Sequence, residues 1–148
     1  MTRIDFYFDA EDKLQVACRL SAKATQQRMR VLIYAPDAAE AQRIDKMLWT
    51  WQATGFLPHC MTNSPLAGQT PVLITHDPED TPHDEVLLNL HSAWPPAFSR
   101  FRRLVEIVGR DAQDREAARE RYRFYRDRGY EIAKHDLSKA QARVPAAT

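Results

Sequence analysis

The sequence predicts an α/β domain of the three-layer, doubly wound kind, with a mainly parallel sheet, Rossmann-like but without a nucleotide site. Three observations predict it. Short strand-like segments rich in apolar residues recur at residues 30–34, 71–75, 86–90 and 104–108, the first a continuous run of the kind expected of a strand buried on both faces. Segments at helical spacing lie among them, and strands alternating with helices imply parallel pairing with helices on both sides of the sheet. The first turn after a strand, Asp9-Ala10-Glu11-Asp12, has no glycine and three acids, whereas a pyrophosphate needs a bare backbone and no negative neighbours.

Taken in order, Ile4-Asp5-Phe6-Tyr7-Phe8 alternates and is aromatic, which predicts a strand. Residues 9–12 supply a loop and a helix cap. Over 13–27, Leu14, Ala17, Cys18 and Ala24 fall on one helical face. The strand at 30–34 is followed by Pro36-Asp37, which opens a helix carrying Ala38, Ala41, Ile44 and Leu48. Residues 49–65 have no clean period and form a loop or short strand rich in large apolar groups. A strand at 71–75 leads into a polar, proline-bearing loop at 76–84, then a strand at 86–90. Pro95-Pro96 starts a short helix through Phe101, and 104–108 is a strand. Asp111 caps a long helix to about Arg128, closed by Gly129. Residues 130–132 add a short edge strand. Residues 138–148, rich in Ala and containing Pro145, read as a flexible tail, leaving one domain over 1–137.

The chain of 148 residues carries 21 Lys+Arg against 20 Asp+Glu, a formal net charge of +1. That balance argues against a dedicated duplex-DNA binder. The distribution is uneven, with ten arginines against six acids between Arg100 and Arg128. Cys18 and Cys60 form no CxxC and read as reduced thiols. No apolar run approaches the ~20 residues of a membrane helix, and the start shows no basic segment followed by an apolar one. A cytoplasmic protein with no membrane partner is expected.

No constellation predicts catalysis. None of the four glycines stands in a GxGxxG or P-loop pattern. His59, Cys60, His76 and His83, with Asp77, Asp80 and Asp84 near, match no zinc spacing, and Cys60 beside His59 has no orienting group. We assign no catalytic residue, metal or cofactor. Two features stand out instead. Trp49, Trp51, Phe56, Leu57 and Pro58 have the composition both of plain core and of an interface anchor. On the long helix, Arg115, Arg119, Tyr122, Arg123 and Arg126 share one face. This is either a solvated face laced by Glu116–Arg119 and Glu120–Arg123 pairs, a seat for an acidic peptide with an apolar side chain, or a track for single-stranded nucleic acid.

The runs Arg30-Val31-Leu32-Ile33, Leu48-Trp49, Phe56-Leu57-Pro58-His59, Pro71-Val72-Leu73-Ile74 and Leu87-Leu88-Asn89-Leu90 occur in a specific order. With them stands the stretch Ala118-Arg119-Glu120-Arg121-Tyr122-Arg123-Phe124-Tyr125-Arg126-Asp127-Arg128-Gly129-Tyr130. Together, from about Ile4 to Leu137, they resemble the chi subunit of bacterial DNA polymerase III holoenzyme, a clamp-loader accessory. The resemblance implies a non-catalytic adaptor in DNA replication. It would bind the acidic C-terminal tail of single-stranded DNA-binding protein, which ends in Pro-Phe, and the psi subunit of the clamp loader, meeting nucleic acid only indirectly. By that resemblance the tail falls on Val108, Arg119, Tyr122, Arg123 and Arg126, with Arg123 where relatives commonly carry Lys. Psi falls on Trp49, Trp51, Phe56, Leu57 and Pro58. A nucleotide-dependent enzyme on a Rossmann-like scaffold and a direct single-strand binder are the alternatives.

Overall fold

Strands form where the apolar runs are, and the runs are buried at every position where both sheet faces are covered. The computed structural model describes residues 1–51 and 57–138. Among these are seven strands: β1 (Arg3–Ala10), β2 (Val31–Tyr34), β3 (His59–Met61), β4 (Val72–Thr75), β5 (Val86–Asn89), β6 (Arg103–Gly109) and β7 (Ile132–Asp136). Three helices accompany them: α1 (Lys13–Gln26), α2 (Ala38–Trp49) and α3 (Ala112–Asp127). The strands make one sheet in the order β3-β4-β2-β5-β6-β1-β7, and every pair is parallel. Strand alternation splits the core into two layers. Val31, Ile33, Val105 and Ile107 meet Leu14, Ala17 and Cys18 of α1 and Ala41, Ile44 and Leu48 of α2. Ile4, Phe6, Leu104 and Val108 meet Ala118 and Tyr125 of α3 on the other face. The expected three-layer architecture is present.

Aspartates start the helices. Asp12 accepts the Leu14 and Gln15 N–H groups at 3.1 and 3.2 Å, Asp37 that of Glu40 at 2.8 Å, and Asp111 that of Asp114 at 2.7 Å. α3 stops at Gly129, whose φ of 83° suits only a residue without a Cβ. There the Tyr130 N–H closes on the Tyr125 carbonyl at 3.2 Å.

Two boundaries differ from the sequence reading. The last strand runs over Ile132–Asp136 and not 130–132. It lies at the sheet edge, where a strand needs no continuous apolar run, so Lys134, His135 and Asp136 hid it. The segment after Pro95-Pro96 makes only one 3-10 turn at Phe98–Arg100. That turn drops Phe98 and Phe101 into the core and brings the chain back to the start of β6.

A third finding was not foreseen. Glu106 stands in the middle of β6 and is fully buried against α3. Arg121, only 1% exposed, donates from Nε to its carboxylate at 3.0 Å. The Tyr125 hydroxyl donates at 2.6 Å and the Asn89 amide at 3.1 and 3.2 Å. Arg121 Nη1 also donates to the Ser92 carbonyl at 2.7 Å. Burial pushes the Glu106 carboxyl upward, and the Arg121 charge and the donated hydrogen bonds pull it back.

Two outcomes follow from this core. Arg121→Met leaves the Glu106 charge buried and unpaired, so it should cost about 3–5 kcal/mol of stability in urea unfolding. The double variant Glu106→Leu/Arg121→Met should cost clearly less than the sum of the single changes, because it strands no charge. Cys18 is wholly buried, and burial, then the Asp12 charge, push its thiol up to about 12. Cys60 on β3 is half-buried. A disulfide-exchange reagent at mildly alkaline pH should therefore titrate Cys60 in the native protein, and Cys18 only after unfolding.

Candidate partner-binding surfaces

In a parallel α/β sheet the usual ligand crevice lies beyond the carboxyl ends of the strands. Here a cleft of about 770 Å³ opens there, between the ends of β1 and β6 and the starts of α1 and α3. Its anion-binding donors are already occupied by the protein's own carboxylates. Asp12 and Asp111 fill their helix N-termini. Asp114 accepts the Gly109 N–H at 2.5 Å and the Lys13 ammonium at 3.2 Å. Asp9, in the left-handed region at φ 64°, bulges the end of β1 and pairs with Arg110 at 3.1 Å. A phosphate would meet carboxylate oxygens where a nucleotide-binding domain presents N–H groups. Among the described residues, no group of three His, Cys, Asp or Glu comes together to hold a metal.

The α3 surface is built differently. Ala118, Arg121 and Tyr125 turn to the sheet, which leaves Arg115, Arg119, Arg123 and Arg126 exposed and Tyr122 half-buried. The Tyr122 ring meets the Phe6 ring edge-on at 5.7 Å, and Lys134 Nζ of β7 stands 5.0 Å from its centroid. Beside the first turns of α3 a cleft of about 300 Å³ is lined by Phe8, Asp9, Val108, Gly109, Arg115 and Asp136. Val108 is 4% exposed and is one of the residues lining this cleft. Arg119 lies one helical turn from both Arg115 and Arg123, so it stands between the cleft and Tyr122. Arg123 pairs with Glu120 at 2.5 Å and Arg126 with Asp127 at 3.1 Å. All four side chains are exposed, and such pairs give way easily to a stronger partner.

Sequence reasoning missed Phe8 and Lys134 at this surface. The alternation Ile4-Phe6-Phe8 on β1 was a signal for the first. The second needed the true extent of β7.

The aromatic segment after α2 divides. Trp49 is 57% exposed and holds its ring edge-on to His59 at 4.8 Å. Pro58 is also exposed. Trp51 is half-buried against the α1–α2 core. Leu57 is 7% exposed and belongs to that core, so it offers no outer surface here. Phe56 lies outside the described residues. The expected apolar patch thus rests on Trp49, with Pro58 and the rim of Trp51.

No described helix is long and apolar enough to cross a membrane. The family profile described as DNA polymerase III chi subunit, HolC, matches residues 1–133. The DNA polymerase III subunit chi of Pseudomonas aeruginosa is 36% identical over 141 residues, covering 93% of this chain and 98% of that protein. The subunit of the same name from Escherichia coli is 29% identical over 119 residues, 80% and 81% of the two chains. That of Haemophilus influenzae is 27% identical over 124 residues, 83% and 86%. On the strength of the whole-length match and the shared α/β architecture, the chain belongs to the DNA polymerase III chi subunit family.

Proposed function

We propose that this replication accessory subunit works as a non-catalytic, cytoplasmic adaptor. It would grip the acidic C-terminal tail of single-stranded DNA-binding protein on α3 and the psi subunit of the clamp loader around Trp49. The observation that carries this reading is the juxtaposition on α3: four exposed arginines run past a half-buried tyrosine and a cleft whose apolar lining is Phe8 and Val108. An acidic peptide ending in an aromatic residue matches both halves. Its carboxylates meet Arg119, Arg123 and Arg126 through charge-assisted hydrogen bonds, and its last ring finds apolar walls. Arg123 and Arg126 exchange weak partners, Glu120 and Asp127, for the peptide. A short peptide held this way binds at about the micromolar level, near −8 kcal/mol. The exposed Trp49 suits an interface anchor, since a large aromatic group left in solvent at the end of a helix contributes little to the fold.

The reading is tested by calorimetric titration with an acidic peptide ending in Pro-Phe. Arg123→Glu should weaken binding by about 2 kcal/mol or more, through a lost contact and new repulsion. It should change stability by no more than about half a kcal/mol, because the position is exposed. Tyr122→Ala should weaken binding with little change in salt dependence, since it removes a wall and not a charge. Unchanged affinity in folded Arg123→Glu would reduce the stripe to a solvated face.

A further inference from the structure

Because every strand is parallel, all seven begin at one edge of the molecule. Residues that precede strands are therefore gathered there, however far apart they lie in sequence. Arg3 pairs in register with Arg103, Arg103 with Val86, and Val86 with Val31. The Arg3 N–H bonds the Arg102 carbonyl at 2.9 Å, the Arg102 N–H the Asp84 carbonyl at 2.9 Å, and the Val86 N–H the Arg30 carbonyl at 3.1 Å. Arg30 and Arg102 thus stand level with each other on either side of the lead-in to β5, where Glu85 lies between them, and Arg3 lies one residue further along β1, the strand beyond β6, with neighbouring strands set about 5 Å apart. Arg100 joins them, because Thr2 donates to the Ser99 and Phe101 carbonyls at 3.2 and 2.6 Å. The C-terminal ends of α1 and α3 bring Arg28 and Arg128 to the same edge.

The charges of this edge are largely free. Arg28, Arg30, Arg100 and Arg102 make no ion pair among the described residues, while the exposed Arg3 reaches the buried Asp5 at 3.7 Å, a carboxylate that Arg103 holds more closely at 3.0 Å. The acids there are Asp84, Glu85, Asp127 and Glu131. Glu85 is turned onto the Arg30 N–H at 2.9 Å, and Asp127 is held by Arg126. Helix dipoles account for cations at the ends of α1 and α3. They do not account for Arg30, Arg100 and Arg102, which precede strands, or for Arg3, which begins one.

An aromatic platform adjoins the row. Trp94 keeps 39% of its surface in solvent and lies flat on Phe124, with centroids 3.8 Å apart and planes 13° from parallel. The Arg128 guanidinium sits 3.6 Å from the centre of the same ring. Two groups this close must take opposite faces, so Phe124 is sandwiched and Trp94 forms the outer layer. Phe98, whose neighbours Ser99 and Phe101 hold Thr2, packs edge-on to Phe124 at 5.9 Å and ties platform to row.

We propose that this edge binds a single strand of nucleic acid directly, with phosphates along Arg30, Arg102, Arg3 and Arg100 and a base stacked on Trp94. A duplex hides its base faces and an anionic lipid surface has none, whereas an unpaired base offers a π-face to an exposed, backed aromatic ring. The surface is separate from the α3 stripe and from Trp49, and it would add a direct contact to the indirect one expected through a protein partner.

The test is fluorescence anisotropy of labelled oligo(dT) of about 20 nucleotides at about 50 and 200 mM salt. The wild type should bind at the lower salt and weaken steeply at the higher. Arg100→Glu/Arg102→Glu and Trp94→Ala should each lose roughly tenfold or more, and Trp94→Phe should restore most of the second loss. Arg119→Glu/Arg123→Glu on α3 should stay within about twofold, because it lies outside the row. Thermal melting of each variant establishes that it is folded. Absence of wild-type binding at low salt overturns the proposal, as does loss confined to the α3 variant. So does polyphosphate competing as well as oligo(dT) while Trp94→Ala binds normally, or binding to anionic vesicles but not to the oligonucleotide.

Discussion

A carboxylate without water needs partners, and Glu106 at the centre of β6 draws them from α3 and the end of β5. Arg121, Tyr125 and Asn89 all answer to it. This constraint fixes which side of α3 faces the sheet. Once Ala118, Arg121 and Tyr125 turn inward, Arg115, Arg119, Arg123 and Arg126 have to point outward. The second hydrogen bond of Arg121, to the Ser92 carbonyl, carries the same constraint into the loop that bears Trp94. A buried ion pair is a modest source of stability beside well-packed apolar side chains, but it tolerates little rotation. The orientation of both α3 flanks depends on it.

The fold also explains why the usual crevice is poorly suited to an anion. Parallel α/β domains offer helix N-termini at the carboxyl ends of their strands, and those ends attract anions. In this chain Asp12, Asp111 and Asp114 occupy the donors from within. The scaffold keeps the geometry of a nucleotide-binding domain and loses the electrostatics. The recognition surfaces proposed for it lie on α3 and at the exposed aromatics instead, as expected when function resides in sites grafted on a common fold.

Much of this was legible from one-dimensional pattern. β2, β4 and β5 are apolar at nearly every position, and the aspartate caps and Gly129 mark helix ends. The α3 stripe was legible because helical spacing alone decides which residues share a face. What escaped notice depended on tertiary context. β7 is an edge strand, so Lys134, His135 and Asp136 carry no periodic signal strong enough to call attention to it. Composition groups Leu57 with its exposed neighbours, but it packs into the α1–α2 core. Arg121 looks like one more surface arginine until Glu106 is seen interrupting the run Leu104–Val108. A lone acid in a buried strand was the available clue that some cation must be buried as well.

The arrangement of charge along the strands has a consequence for motion. Arginines crowd the edge where strands begin, while Asp9, Asp12, Asp37, Asp77 and Asp111 follow strand ends or start helices at the other. A net charge of +1 conceals this unevenness, although Lys13, Arg43 and Arg110 offset part of it at the acidic end. Such a molecule is rotated by an external field more than it is drawn along it. Near a polyanion it experiences a torque that turns the arginine edge forward, within a screening distance of about 8–10 Å at physiological salt. Orientation on approach is then selected before any side chain makes contact.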